Sequence, residues 1–541
     1  MKKTFILLTA MLCSAVIVKA QSEYMPYGYQ FYQKFNKDLY STKSRIHSTI
    51  KPFIVDSLLQ PTYDSLMNIN VKDDGVKRSW AYRKVFQEHL IDVKDPEYTF
   101  FFDVMSDLTI GRDFSRKEKT SYNTRGYQLG GTIGKKFYFY STGYENQATQ
   151  PYYLNEYTKQ TGIVSGQAYD RSFGQRKVDW SYVTATISYT PAKFLNISLG
   201  QDKTFIGDGY RSVLLSDFSS PYTNLKLTGT LGNVRYMAMY GLMQDARIPK
   251  FTYADGNRRK WATFHYLDWN VSNRLSVGFF DSIVWGDKDE SGNKRGFDFT
   301  YASPIIFLRP VEASNGSPDN AAIGLTGKYK LTNGITLYGQ FMLDEFEAKN
   351  FFSSSGSSRN KYGWQIGARG ADLFKVRGLN YLFEYNGAKP YTYSSVRPLI
   401  SYSNQTEPLA HPFGANFKEL VGILNYSYKR FDLMGQVNYG HYGLDPKGSA
   451  LNYGKDFLLP YTAPVSLTGN YIGQGVTTDM YYAEGRVAYV LNPKYNLRFE
   501  VGGIYRKETN SVFTNNTSMI TIGLRTAFHS VYTDLASYRI Q

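Results

Sequence analysis

Cysteine is all but missing from this chain of 541 residues, and Cys13 is the only one. It lies in the apolar stretch Phe5–Val18, after Lys2 and Lys3 and before the small-x-small site Val18-Lys19-Ala20, the layout of a secretory signal over residues 1–20. A lipoprotein acceptor would need a small residue where Leu12 stands, and the apolar run continues past Cys13. Cleavage after Ala20 leaves no cysteine, which excludes disulfides, thiol nucleophiles and thiolate metal sites. Long apolar runs are missing too: beyond residue 20 no segment reaches the roughly 20 residues of a membrane helix, so a helical membrane bundle is excluded.

Histidine is scarce. His47, His89, His265, His411, His441 and His529 form no HExxH and no metal-spaced pair, and the chain has no GxSxG. His265 sits on an expected strand with Asp268 on the opposite face, and a lone strand histidine reads as structural. The acidic run Asp287-Lys288-Asp289-Glu290 lacks the spacing of a calcium loop and reads as a solvated hairpin tip. No catalytic residue, no metal site and no cofactor is expected, and the chain is read as a non-enzyme.

What is abundant is aromatic: Tyr 48, Phe 35 and Trp 6, alongside 47 glycines. A disordered chain would be poor in such residues. Yet the hydrophobic fraction is 42% and the mean hydropathy −0.40, so no segment looks apolar as a whole. The net charge of +16 falls to +13 when Lys2, Lys3 and Lys19 leave with the signal, a surplus that favours anionic partners. Nucleic acid is not expected for an exported protein.

Two textures follow the signal. Residues 21–97 are polar and helix-like, with Lys43–Leu59 and Trp80–Ile91 as the clearest segments, broken by Pro26, Pro52, Pro61 and Pro96. From Tyr98 the pattern changes to two-residue alternation. Ile323, Leu325, Tyr329 and Leu331 share a face against Thr326, Lys328 and Lys330. Ile335, Leu337, Phe341 and Leu343 do the same, as do Phe431, Leu433, Val437 and Tyr439, and Tyr495, Leu497, Phe499 and Val501. Any half-buried sheet alternates, so the connections carry more weight. Tight ones near Gly134-Lys135, Thr190–Lys193, Gly232, Ser272-Asn273, Thr332–Gly334, Lys429-Arg430 and Asn492–Lys494 alternate with long polar stretches. Short turns on one side and long loops on the other define an outer-membrane barrel. Closure leaves no backbone edge in lipid.

The fold expected is therefore all-β: a closed antiparallel transmembrane β-barrel of about 18 strands over residues 98–541, with a mostly helical periplasmic or plug region at 21–97. Tyr182 and Tyr189, Trp261 and Trp269, and Tyr426 and Tyr439 are expected in the interface girdles. The last strand, Met519–Phe528, resembles the closing strand read by outer-membrane assembly machinery, although a tail follows it. Outer-membrane lipid and lipopolysaccharide are the expected surroundings.

Two groups of residues are site candidates. Glu484, Arg486, Arg498, Glu500 and Arg525 face the lumen as a charge ladder, read either as a structural brace or as a field that selects permeants. The other is Gln201–Leu227, where Gly207-Asp208-Gly209 allows a sharp turn. From that turn Tyr210 could stack on a sugar and Arg211 could grip a carboxylate with its fork. Asp208, Tyr210 and Arg211 are the glycan-binding candidates at an extracellular rim, with a structural loop as the competing reading.

The run Gly200–Leu227, with GDGYRSVLLSD at its centre, resembles the corresponding segment of Wzi-type capsule assembly proteins, and above all of their Bacteroidota relatives associated with gliding motility. The likeness in organisation spans most of the mature chain. It implies a barrel partly occluded by periplasmic helices, with residues 21–97 as the plug, that binds capsular polysaccharide and keeps it attached. Surface polysaccharide is thus the expected partner, an acidic one fitting the basic surplus. A gliding or adhesion component and a solute-diffusion channel are the alternatives.

Overall fold

The computed structural model describes residues 23–55, 58–69, 71, 75–171, 177–247, 259–288, 291, 293–304, 319–345, 355–448, 450–526, 528 and 531–540. The expected signal at residues 1–20 with Cys13, the tip residues Asp289 and Glu290, and His529 lie outside the described residues.

Eighteen antiparallel strands close into a barrel. The first six are β1 (Tyr98–Asp113), β2 (Glu118–Ile133), β3 (Phe137–Thr149), β4 (Lys177–Ala192), β5 (Leu195–Asp202) and β6 (Tyr222–Leu231). Next come β7 (Val234–Gln244), β8 (Arg259–Trp269), β9 (Leu275–Gly286), β10 (Asn320–Thr332), β11 (Ile335–Glu345) and β12 (Lys361–Gly370). The wall ends with β13 (Leu379–Ala388), β14 (Phe417–Tyr428), β15 (Phe431–Leu444), β16 (Val476–Asn492), β17 (Leu497–Thr509) and β18 (Thr514–Thr526). Each strand pairs with its successor, and β18 returns to β1 over six residue pairs, from Met519–Asp113 to Leu524–Leu108. The strand Ile91–Lys94 pairs with the start of β1, beside that seam.

Alternation sorts the wall. On β10, Leu325 and Tyr329 face outward and exposed while Lys328 and Lys330 face inward and buried. On β15, Val437 is 60% exposed between the buried Gln436 and Asn438. An apolar outer band around a polar interior is what lipid demands of a barrel. Two aromatics depart from their expected places. Tyr182 points inward and packs on Tyr144, and Tyr495 is buried in the turn before β17. On β8 and β9 a polar pair, His265 and Asp281, lies 3.9 Å apart on the outward face. It is fully buried because the chain near Tyr301–Pro304 folds down the outside of the wall, accepting hydrogen bonds from Tyr236 and Thr263.

The tight turns fall at one end, the periplasmic end of an outer-membrane barrel. The long connections fall at the other, where residues 114–117 and 510–513 make the two short ones. Before the barrel, helices Tyr29–Tyr32, Asn36–Leu39, Gln60–Met67 and Trp80–Phe86 alternate with short strands. Their own small core holds Phe31, Phe35, Leu39 and Phe53. Lys43–Leu59 is not a helix: it carries the strands Ile50–Lys51 and Phe53–Val55, and Pro52 interrupts any helical ladder there. The segment Trp80–Ile91 is helical only as far as Phe86.

Candidate functional site

The chemistry-bearing residues converge inside the barrel. The wall is low at β5 and β6, of 8 and 10 residues, beside β4 with 16. The connection 203–221 therefore starts within the lumen instead of above it. Its apolar run Val213-Leu214-Leu215, with Phe218, then drives it inward, and all four side chains are fully buried. Gly207, at φ 152°, makes the turn that a side chain would obstruct, since an added Cβ would meet the Gln340 amide at 2.4 Å. Gln340 holds the loop on both sides of the turn, donating to the Ile206 carbonyl at 2.9 Å and accepting from the Val213 N–H at 2.9 Å.

Asp208, Tyr210 and Arg211 consequently do not project from an extracellular rim. Asp208 is buried and accepts hydrogen bonds from Tyr40 at 2.9 Å, Ser48 at 2.5 Å and Lys328 at 3.3 Å, joining the N-terminal segment to β10. Burial alone would raise its carboxyl, but Lys328, Lys51, the Ser48 hydroxyl and Arg369 together hold it well below the usual carboxylate range. The Arg211 guanidinium is 1% exposed and forks onto Glu419 of β14, with Nε at 3.1 Å and Nη2 at 2.8 Å. The same Nη2 reaches the Asp534 carboxylate at 2.8 Å. His411 bonds Glu419 from its other side at 2.8 Å. Burial lowers that imidazole to about 4 against the raising effect of Glu419, so it is neutral at physiological pH. Tyr210 donates to Asp534 at 2.9 Å and packs edge-on against Tyr29 with centroids 4.8 Å apart, while its N–H and that of Arg211 donate to Glu384 of β13.

Asp534 belongs to the stretch 531–540, which turns back from the periplasmic end and climbs the lumen. Besides Arg211 and Tyr210 it accepts from Gln436 at 2.6 Å and Asn438 at 3.2 Å on β15. Higher up, Ser537 donates to Glu508, Tyr538 to the Pro412 carbonyl, and Arg539 to Asp456 in the outer connection 445–475. Three pieces of chain thus meet at GDGYR: the N-terminal segment, the inward connection and the C-terminal tail.

The charge ladder lies beside this junction. Arg486 reaches Glu484 at 2.6 Å, Arg525 reaches Glu500 at 2.9 Å and Asp107 at 3.2 Å, and Arg498 lies 3.8 Å from Glu500. Arg498 also donates to Gln30, and Lys34 bridges to Asp432 at 2.8 Å, tying the N-terminal segment to the same wall. A void of about 110 Å³ separates these charges from Tyr29 and Asp534. Glu384, Glu419, Asp432, Lys328 and Asp534 escaped sequence reasoning. Each is one inward polar residue among several on its strand or tail, with its partner as far as 398 positions away in Lys34 and Asp432.

The outer connections form the roof. Glu407 accepts from Tyr157 at 3.0 Å, the Gly166 N–H at 2.7 Å and the Ser220 N–H at 3.0 Å, which fastens three connections together. Burial pushes its carboxyl up to about 7 in spite of the Gly166 N–H and Lys203. On the surface above, the Arg116 guanidinium stacks 3.5 Å from the Tyr152 ring centroid, and Tyr471 is 63% exposed. The acidic run contributes Asp287, buried and accepting from the Trp261 indole at 2.9 Å.

A closed 18-stranded antiparallel wall with an apolar outer band defines a barrel with the fold of outer-membrane proteins. No family model and no curated sequence matches the chain. Among solved structures it is similar to Wzi of Escherichia coli, a carbohydrate-binding outer-membrane barrel involved in group 1 capsule assembly. The TM-score is 0.53 at 12% identity, over 93% of this chain and 99% of that one. Weaker similarity extends to OprD of Pseudomonas aeruginosa, with TM-score 0.42, 11% identity and 79% and 94% of the two chains, and to OccAB2 of Acinetobacter baumannii, with 0.43, 9%, 79% and 96%. At such identities the likeness to Wzi is one of fold.

Proposed function

We propose that this protein is a non-catalytic outer-membrane barrel that binds surface polysaccharide with its extracellular connections. The observation that carries the reading is the occupied lumen. The N-terminal segment, the 203–221 connection and the tail are held inside by buried charged hydrogen bonds that Asp208 and Asp534 accept and Arg211 donates. Such an interior supports a rigid platform and works against passage of solutes. On this reading residues 21–97 act as the plug. Asp208, Tyr210 and Arg211 serve glycan binding at one remove, by fixing the roof above them, and the ladder from Glu484 to Arg525 braces the wall.

The roof offers the chemistry a glycan needs: exposed aromatic faces such as Tyr471, and guanidinium groups such as Arg116. The carbohydrate binding of Wzi, similar in fold, lends further support. The test is titration of the purified full-length barrel with surface polysaccharide extracted from the producing cells, alongside conductance in planar bilayers. Binding without conductance is expected. A steady open conductance with no polysaccharide binding would turn the assignment to a solute channel.

A further inference from the structure

A sizeable cavity lies at the opposite end from the roof. It has a volume of about 910 Å³ and sits between the helix Gln60–Met67, the hairpin Ile91–Thr99 and the inner wall of β1–β3, beside the turns at Gly134 and Lys494. That volume falls within the roughly 300–1,000 Å³ of small-ligand sites. Here side chains of β1–β3 line open space.

Its lining is aromatic and flat. Tyr24 lies between Tyr138 and Tyr140, with centroids 6.3 Å and 5.3 Å away. Phe101 is held parallel to the His89 imidazole at 4.5 Å, and Asp103 fixes that imidazole at 2.6 Å. Opposite Phe101 the wall residue is Gly130, where an added Cβ would come within 2.7 Å of the ring, so only glycine lets the ring lie against β2. The orientation of Phe101 is thus set by the hydrogen-bonded His89 and by the missing side chain at Gly130.

Around the rings stand short hydrogen-bonding side chains, paired with one another: Gln60 donates to Asp64 on the helix at 3.0 Å, Asn68 just beyond it accepts from Lys494 at 2.9 Å, and Thr99 meets Thr132 on the wall at 2.8 Å. The charges at the mouth cancel, since Asp64, Asp92 and Asp95 face Lys94, Lys135 and Lys494. Aromatic side chains, amides and carboxylates suited to hydroxyl groups, and no net charge describe a site for neutral sugar rings.

We infer that this cavity is a second saccharide site, open to the periplasm and taking a short neutral oligosaccharide. It is separate from the polysaccharide surface proposed on the outer connections. The two would let one barrel hold glycan on both sides of the membrane.

The test uses the full-length protein in nanodiscs against an array of neutral linear glucan, mannan and xylan oligosaccharides of three to six rings. Gln60→Trp and Asp64→Trp fill the cavity from its helical side, where both residues are at least partly exposed, and heat-modifiable migration checks that each variant still folds. The expected result is binding of at least one of these oligosaccharides that both substitutions weaken about tenfold or more and that Tyr471→Ala on the roof leaves unchanged. Binding that persists in both filled variants overturns the cavity assignment and leaves the outer surface as the saccharide site. Capture of peptides but of no oligosaccharide on a parallel peptide array also overturns it. Loss of extracted-polysaccharide binding in Tyr471→Ala bears only on the outer surface.

Discussion

Replacing Asp534 by alanine is expected to release the tail without opening the wall. The carboxylate accepts four hydrogen bonds, from Tyr210, Arg211, Gln436 and Asn438, at 2.6–3.2 Å. Removing one member of a buried charged pair costs about 3–5 kcal/mol. The lower end applies here, because Arg211 keeps its fork on Glu419 and is not left as an isolated charge. About 3 kcal/mol corresponds to roughly a hundredfold in the opening equilibrium of the tail. The reporter is the Ser537 amide, which donates to Glu508 at 3.2 Å only while the tail is docked. Hydrogen exchange in nanodiscs should speed up about a hundredfold across residues 532–538, while the paired amides of β14 and β15 keep their rates. Asp534→Asn retains acceptor geometry on one oxygen and should give an intermediate acceleration. Unchanged exchange in the tail of Asp534→Ala would refute the clamp, and loss of heat-modifiable folding would move Asp534 from the plug to the wall.

Arg211→Lys keeps the charge but loses the fork on Glu419 and should destabilise the junction by about 1–3 kcal/mol, read as earlier loss of the heat-modifiable form on heating. Glu407 has its carboxyl raised to about 7 from an ordinary 4.5. The stability it gives the roof is therefore complete below about pH 4.5 and is lost as pH rises through 7. Exchange of residues 157–166 should accelerate over that window in the wild type, and Glu407→Gln should remove that share of the pH dependence. Val437→Arg places a charge on the lipid face of β15 and should cost about 2–4 kcal/mol near mid-membrane, measured by denaturant titration in vesicles.

The wall was legible because lipid imposes a two-residue period on every strand: Leu325, Val437 and Val501 mark it directly. The distribution of short and long connections added which end is which. The interior was far less legible, because a polar inward residue looks the same whether it faces water or a plug. Nothing in the local sequence of Glu419 or Asp534 points to Arg211. The reading of Tyr210 and Arg211 at an extracellular rim went astray because a long connection at that end was taken to rise outward. Two signals pointed the other way: the brevity of β5 and β6, and the apolar Val213-Leu214-Leu215 inside a polar stretch. Lys43–Leu59 misled in another manner, since its spacing suits a helix while contacts with the barrel fix Ile50 and Lys51 as a strand pairing with Phe205-Ile206.

An even number of strands ordinarily returns a barrel chain to the side from which it started. Here the tail adds a nineteenth passage through the interior, ending where Arg539 meets Asp456 among the outer connections. Residue 23 and residue 540 therefore lie towards opposite faces of the membrane. The parity of the wall and the sidedness of the chain are thus uncoupled.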